Sequence, residues 1–462
     1  MTMSAHLKGD DRLRLAVLCL GVWLHAANSM LTATTLPSAV REFGGGHLIS
    51  WAFTLYLLGS ILAGAATAIL LRRISVRAAM SYAALLYAAG CVACALAPHM
   101  YTLLLGRLLQ GVGGGFIIAL TFVGLGRWFD VQLIPRLMAM ISAIWSLSAF
   151  CGPLVGGTFS TLGLWRWAFW VFVIKALCFI VACKHVLPED SADVSTSSAS
   201  PQRFPVQRLA ILSIAILSVA TAGTVNSAAI AAVLCFAGVG LLWLVFVLDQ
   251  QHPVSKLFPS GALSVTQPVG AGLVFVLSAS TATMAFMVYG PILLETLHGV
   301  SPLAAGYIVA FESIAWGIGA VTVARLPVHL ERYSIRLGAV LILLGIVGFS
   351  LNMQHGPLWL VVFWAGCQGM GFGISWAFIV KRVTAAAITG ENDVAAASIP
   401  TLQQVGFALG ASAAGIVAAL AGFGSEVSVA TATASLPWIF LVFAPFGAIA
   451  VFAVWQLTRI KR

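Results

Sequence analysis

The sequence predicts an all-helical fold that crosses a membrane many times, and three observations predict it. Of the 462 residues, 60% are hydrophobic and only 8% are charged, where a soluble domain carries about 25% charged residues. The mean hydropathy is +1.01, and apolar runs of twenty or more residues recur along the whole length, each long enough to span a bilayer. These runs are longer than the roughly ten-residue alternating strands of a membrane barrel, so the spans are helices.

Apolar runs between polar breaks fall at 14–36, 48–70, 78–96, 101–125, 137–160 and 167–185. The first is too long for a signal-peptide core and has no small-residue cleavage site, so it reads as a retained span. A polar loop, PEDSADVSTSSASPQRFPVQR, follows, and its composition favours a solvated, mobile segment. Runs at 209–225 and 227–248 are joined by little more than Asn226, and after DQQHPVSKLFPSG come 266–294, 302–324, 336–353, 357–380, 397–421 and 435–458. The expected count is fourteen.

Charge supports that count. With the N-terminus inside, 20 of the 24 Lys and Arg residues fall on inner segments, among them Arg72, Arg73, Arg77, Arg332 and Arg336; Arg41 and Arg166 fall outside, and Arg107 and Lys175 lie within spans. This is the positive-inside distribution of a multi-pass inner-membrane protein with both termini cytoplasmic. It assigns the net charge of +10 to topology and leaves no basic patch for nucleic acid. All eight cysteines lie in apolar runs; Cys91-Val-Ala-Cys94 has the spacing of a redox or zinc motif, but apolar surroundings make packing the expected role. No G-x-x-x-x-G-K-[ST] sequence is present, so ATP is not the expected energy source. No cofactor or metal is expected.

The chain repeats itself. RRISVR (72–77) and ERYSIR (331–336) share R-x-S-[VI]-R; Gln110-Gly111-Val112-Gly113 matches Gln368-Gly369-Met370-Gly371, and Gly152 maps onto Gly410 in nearly the same register. Two parallel six-helix halves with a two-helix insert follow: an N-terminal bundle over 1–186, a loop and insert over 187–258, and a C-terminal bundle over 259–462. Repeats of this kind place a transport site at the membrane midplane.

Several motifs resemble those of the major facilitator superfamily, and within it the fourteen-span drug:proton antiporters. GRLLQGVGGG (106–115) is similar to the fourth-span pattern R-x-x-Q-G-x-G, and GPLVGG (152–157) to the fifth-span antiporter motif, with Ser148 at its first glycine. WRWAF (165–169) and HGVSPLAAG (298–306) resemble the entry to the sixth span and the ninth-to-tenth connection. The resemblance implies two six-helix bundles plus two extra helices, alternating access, and export. It also implies that Gly152, Pro153, Gly156 and Gly157 form the antiporter motif and that the basic loop residues act as a cytoplasmic gate. Two family acids are replaced, by Arg72 in the loop after span 2 and by Asn28 in the first-span pattern.

A charge near the bilayer centre costs about 2.5–3.5 kcal/mol on insertion scales, so Arg107, Lys175 and Glu312 each need a reason. Glu312 is the one acid deep in a span, and loss of hydration favours the neutral form of a carboxyl, which suits a proton carrier; the alternative is a structural acid. Arg107 is a fixed positive charge, an electrostatic partner for a carboxylate or an anchor for substrate, and Lys175 snorkels along its stem or faces inward. His25, Asn28, Ser29 and Thr32 recur at helical spacing, a stripe expected to face a water-filled cavity, with His25 a candidate for proton coupling. Gln110, Trp145, Trp316, Gln368 and Gln403 complete the expected substrate lining, with Phe311, Trp376 and Gln404 beside them. In Gly152-Pro153, proline frees the carbonyl of Ala149 and bends the helix, and glycines four apart let another helix approach, here expected as a hinge-like contact between bundles.

The expected protein is therefore not an enzyme. It is a monomeric exporter in the lipid bilayer that exchanges protons for a small amphipathic compound, with a charge balance favouring neutral or anionic cargo. An uptake carrier, a lipid-acting polytopic enzyme and a non-transporting sensor are the other readings left open.

Overall fold

The computed structural model of the protein describes residues 9–130, 133–189, 205–225, 227–251, 256–324, 326–388, 391–423 and 428–459. Most of the polar loop after the sixth run lies outside these residues, as do Asn226, Lys8, Arg203, Arg325, Lys461, Arg462 and the side chains of Ser29 and Arg136.

Among the described residues the chain is helical and has no strand. The helices are α1 (Gly9–Phe43), α2 (Ile49–Leu71), α3 (Val76–Ala95), α4 (Met100–Trp128), α5 (Ile134–Thr161), α6 (Trp165–Val186), α7 (Val206–Ala222) and α8 (Ala228–Gln250). They continue as α9 (Pro268–His298), α10 (Pro302–Val323), α11 (Glu331–Asn352), α12 (Leu358–Ala385), α13 (Asn392–Leu420), α14 (Val429–Leu441) and α15 (Ala444–Arg459). Their starts are written in short polar residues: the hydroxyls of Ser75, Ser227 and Ser301 accept from the backbone N–H three residues on, and Ser428 and Thr431 form a reciprocal capping box. Gly299 ends α9 with φ 63°, a left-handed conformation that glycine takes at no steric cost.

Twelve helical passages among the described residues are long and apolar enough to cross a membrane, with α14 and α15 together making one. That is two fewer than the fourteen expected. The passages outside the twelve are the 28-residue α5 and the 17-residue α7; α7 rises about 26 Å at 1.5 Å per residue, at the short end of the roughly 17–25 residues that a span uses.

The chain divides into two compact units, Met1–Ala39 with Leu55–Pro201, and Val40–Thr54 with Gln202–Arg462. The helices of the expected insert, α7 and α8, thus belong to the second unit.

Within each unit the central approach is made by glycines that admit a neighbouring backbone. In the first unit a Cβ on Gly111 would stand 2.8 Å from Tyr56 Cα of α2, and one on Gly113 would stand 2.6 Å from Tyr87 N of α3. The second unit repeats this: a Cβ on Gly369 would lie 3.0 Å from Glu312 Cα of α10, and one on Gly371 would lie 3.1 Å from Ile342 N of α11. Membrane helices lack the solvent-driven association of soluble ones, so such close backbone packing supplies much of their cohesion.

The polar ends of the units are fastened by charge. Arg77 of α3 pairs with Glu189 and donates to the carbonyl of Lys184 at the end of α6. Its repeat counterpart, Arg336 of α11, donates to Thr458 Oγ1 of α15 at 2.8 Å and lies over the Trp455 ring. In the second unit the buried Arg208 of α7 pairs with Asp249 of α8, whose carboxylate also accepts from Leu257 N and Phe258 N. Lys256 Nζ bonds Glu391 Oε1 at 2.5 Å, and Ser260 donates to both oxygens of that carboxylate. Partial burial pushes the Glu391 carboxyl up, but the hydrogen bonds from Lys256 and Ser260 outweigh it and hold it below the ordinary carboxylate value.

Two outcomes are expected. Gly113→Leu drives a side chain into the α3 backbone and costs about 1–3 kcal/mol or more, lowering Tm, whereas Gly126→Leu, where a Cβ meets nothing within 4 Å, leaves Tm unchanged. A carboxyl with a depressed folded-state value stabilises above its unfolded pKa of about 4.3 and loses that contribution as pH falls through the folded value. Glu391→Gln should therefore lower Tm by a constant amount from pH 7 to about 5, and the gap to the native chain should close at lower pH.

Candidate functional site

The polar residues of the first unit converge on Arg107. This side chain, on α4, is fully buried at 0% exposure. Its Nη1 donates to Asn28 Oδ1 of α1 and, at 2.5 Å, to Gln110 Oε1 one turn along its own helix, while its guanidinium carbon lies 4.4 Å from the centre of the Tyr56 ring. Asn28 Nδ2 donates to Tyr87 Oη at 2.6 Å and to Gln110 Oε1 at 3.3 Å, and Tyr87 passes its own hydrogen to the carbonyl of Leu24 at 3.2 Å. Gln110 Nε2 reaches Cys91 Sγ at 3.2 Å. His25 Nδ1 lies 2.9 Å from Tyr56 Oη, and Trp145 meets the His25 ring edge-on at 5.8 Å. A planar fork that donates to two amide oxygens and stacks on an aromatic face uses the geometry that separates arginine from lysine.

This arrangement changes the reading of the first-span stripe. His25, Asn28 and Thr32 are buried, and Thr32 Oγ1 donates to the carbonyl of Asn28 at 3.0 Å. These three side chains of the stripe pack into the interior of their own unit. Gln110 is likewise fully buried, whereas Trp145 is 43% exposed. The sequence reading missed Tyr56 and Tyr87, which supply the ring under Arg107 and the acceptor for Asn28. Part of their signal was available, since each is a tyrosine within an apolar run; that Tyr56 and Glu312 hold matching places beside Gly111 and Gly369 shows only in the packing.

The antiporter motif packs on α1 of the same unit. A Cβ on Gly152 would meet Ala27 O at 3.1 Å, and one on Gly156 would meet Leu31 O at 3.0 Å. Pro153 and Gly157 sit between and beside them in α5. The close approach expected between bundles is therefore made inside one of them. The second unit has its equivalent, where Gly410 of α13 would meet Met284 Cβ of α9 at 2.8 Å, but without a proline at Ala411.

In the second unit, Glu312 sits midway along α10, half-buried, with no hydrogen bond or ion pair to a described residue. Gln368 of α12 is 1% exposed and its Oε1 has no hydrogen-bond partner among the described residues; the buried Oε1 of Gln404 likewise has none. Gln403 is half-buried beside it. Trp316 stacks on Phe372 with ring centres 4.7 Å apart, and Trp376 completes an aromatic shelf. Phe311 lies 3.0 Å from where a Gly366 Cβ would stand.

Lys175 of α6 rests its ammonium 3.4 Å from the centre of the Trp23 ring and 4.1 Å from that of Phe172, an inward cation–π seat and not a snorkel to the interface. Of the expected gate residues, Arg72, Arg73 and Arg332 are exposed, Arg332 donating to Tyr333 Oη at 2.7 Å, while Arg77 and Arg336 are the end fasteners described above. Glu331, which the repeat sets opposite Arg72, is buried and paired with Lys381 at 2.6 Å. No group of three or more His, Cys, Asp or Glu side chains able to hold a metal occurs among the described residues.

Two glycine-knit helical units with twelve passages long and apolar enough to cross a membrane among the described residues mark a polytopic membrane protein. Residues 18–411 match the model of the Major Facilitator Superfamily, and the chain belongs to that family. It is 30% identical over 458 residues to the probable multidrug-efflux transporter Rv1634 of Mycobacterium tuberculosis, covering 96% of this chain and 94% of that protein. It is 24% identical to the multidrug efflux pump SdrM of Staphylococcus aureus over 366 residues, 77% of this chain and 78% of the other. Among solved structures, a peptide transporter POT superposes with TM-score 0.70 at 16% identity, covering 99% and 96% of the two chains. The nucleoside transporter NupG gives 0.66 at 13% identity, covering 96% and 99%. These two show the shared fold.

Asn28 is the acceptor that joins α1 to α4. Replacing it by Leu removes the oxygen that Arg107 uses and is expected to cost about 1–3 kcal/mol, read as a fall in Tm of the purified protein. Asn28→Asp restores an acceptor at the same place, with a charge opposite to that of Arg107, and should keep Tm at or above that of the native chain.

Proposed function

We propose that this transporter exports a small amphipathic compound in exchange for protons, by alternating access. The observation that carries this reading is Glu312, an acid in the middle of a membrane helix whose carboxylate makes no hydrogen bond or ion pair to a described residue. Intramembrane acids face protein or water and mark ion pathways, and a carboxyl without a fixed partner is free to take up and release a proton. The efflux transporters among its relatives and the glycine–proline strip of α5 support the outward direction. In this reading the chain makes fourteen passages, the twelve together with α5 and α7. It lies in the inner membrane as a monomer with both ends cytoplasmic, and its bundles run over 1–186 and 259–462 with the insert between. Gln368, Gln403 and Trp316 contact the cargo. Arg107 and His25 hold the polar centre of the first unit, and the basic residues at 72, 73, 77, 332 and 336 mark the cytoplasmic face.

The test is flux in proteoliposomes under an imposed pH gradient, for the native chain and for Glu312→Gln. Gradient-driven flux of an amphipathic dye is expected in the first and should fall to the leak of empty vesicles in the second. Equal gradient-driven flux in both removes Glu312 from the coupling, and flux insensitive to the gradient in the native chain overturns proton exchange itself.

A further inference from the structure

The corner between α1 and α2 does not stay with the helices it joins. Residues Val40–Thr54 belong to the second compact unit, while the rest of α1 and α2 belongs to the first. The corner turns at Gly44 and Gly45, whose φ angles of 70° and 77° lie in the left-handed region that glycine takes freely. Three contacts seat it on α9 and α13. Arg41 Nη1 donates to Glu295 Oε2, in the last turn of α9, at 2.6 Å. Thr54 Oγ1 and Ser412 Oγ of α13 lie 3.1 Å apart, and a Cβ on Gly415 of α13 would stand 2.7 Å from Ser50 Cβ. Ser50, Thr54 and Ser412 are all buried at this seat.

The ion pair at this seat is lopsided. The Arg41 side chain is 53% exposed and that of Glu295 only 6%. Arg41 is the one partner of Glu295 among the described residues, and the second carboxylate oxygen, Oε1, is buried with no hydrogen bond. The base can therefore swing into water and regain its hydration, whereas the acid cannot follow it. A buried carboxylate stripped of its cation is far costlier than a neutral carboxyl, so the arginine leaves when a proton takes its place. We propose that Arg41 and Glu295 form an acid-released clasp at the outer mouth of the transporter, closed while Glu295 is ionised and open once it is protonated. The open state holds one proton more than the closed state, so a falling pH on this side favours opening. The other titratable groups that α1, α9, α10 and the connections bring to this end are Glu42, His47, Tyr289, His298, Tyr307 and His355. His298 Nε2 lies 2.7 Å from Met353 O, and none of the six is bonded to Glu295. The described outer ends of α11, α12, α13 and α14 carry no charged residue. Because the proton enters and leaves at the same face, Glu295 sets when the mouth opens and carries nothing across, a role separate from that of Glu312.

The clasp rests on the exporter reading only for naming this face the outer one, and its test needs neither cargo nor gradient. The full chain carrying Thr54→Cys is placed in lipid nanodiscs, where both faces meet the reagent, and is labelled with a membrane-impermeant maleimide. Peptide mass spectrometry separates position 54 from the native cysteines. At pH 7.5 the intact pair should keep position 54 slow to label. Adding Glu295→Gln, which holds the side chain neutral, should speed labelling at least about tenfold, as expected for loss of a buried ion pair. Lowering the pH to 5 slows the thiol chemistry of both proteins alike, so the readout is the ratio of their rates. That ratio should fall towards one as acid opens the intact clasp. Adding Arg41→Gln in place of Glu295→Gln should give the same two results, and it decides alone if Glu295→Gln does not elute as a single species. Equal rates at pH 7.5, or a ratio that does not change with pH, overturns the clasp. A ratio that falls as expected, with no gradient-driven flux in proteoliposomes, would overturn the exporter reading and leave the clasp standing; gradient-driven flux with a flat ratio would do the reverse.

Discussion

Close approach of helix backbones at glycine is the constraint on which the rest of the structure depends. Gly111, Gly113 and Gly115 on α4, and Gly369, Gly371 and Gly373 on α12, each leave room for a neighbouring main chain where a methyl group would collide. In lipid, burial of apolar side chains gives little advantage over contact with hydrocarbon, so dispersion contacts and interhelical hydrogen bonds must hold helices together. The approach also sets the chemistry. Because α2 and α3 lie against α4, Tyr56 and Tyr87 reach the polar groups around Arg107. Because α10 lies against α12, Glu312 is carried to the turn that bears Gln368. The side chains that look functional are placed by residues that have none.

Much of this was legible in the sequence. The helical class, the family, the repeat and the exceptional character of Arg107 and Glu312 all follow from charge-poor runs and from glycine motifs that recur in register. Less legible was the direction in which the first-span stripe faces. His25, Asn28 and Thr32 share a helical face, and a shared face does not say whether water or protein lies opposite. Their partners, Tyr56 and Tyr87, hide in apolar runs because a tyrosine ring satisfies a hydropathy pattern while its hydroxyl does polar work. The role of Pro153 and its flanking glycines was misplaced for a similar reason: a smooth strip announces a close neighbour without naming it, and that neighbour is α1.

The two units also show how a duplicated frame diverges in use. The first joins Asn28, Tyr87, Arg107 and Gln110 in one buried hydrogen-bonded network. The second keeps the frame and one amide, with Ala365 standing where the first has Arg107. Buried polar networks are costly when half satisfied, which makes the asymmetry between Gln110 and Gln368 more informative than either residue alone.

The partners of Arg107 have a consequence for how the protein is made. Its contacts on other helices come from α1, α2 and α3, through Asn28 and Tyr56 directly and through Tyr87 and Cys91 one bond further on. All of these leave the ribosome before α4. The guanidinium therefore enters a bilayer in which its acceptors already stand, and the insertion cost of a lone charge is offset as the helix arrives. Lys175 on α6 finds Trp23 of α1 waiting in the same way. Glu312 has no such reception, because its neighbour Gln368 lies on α12, two helices later. The order of synthesis shelters the fixed charges of the first unit and leaves the acid of the second to enter the membrane alone.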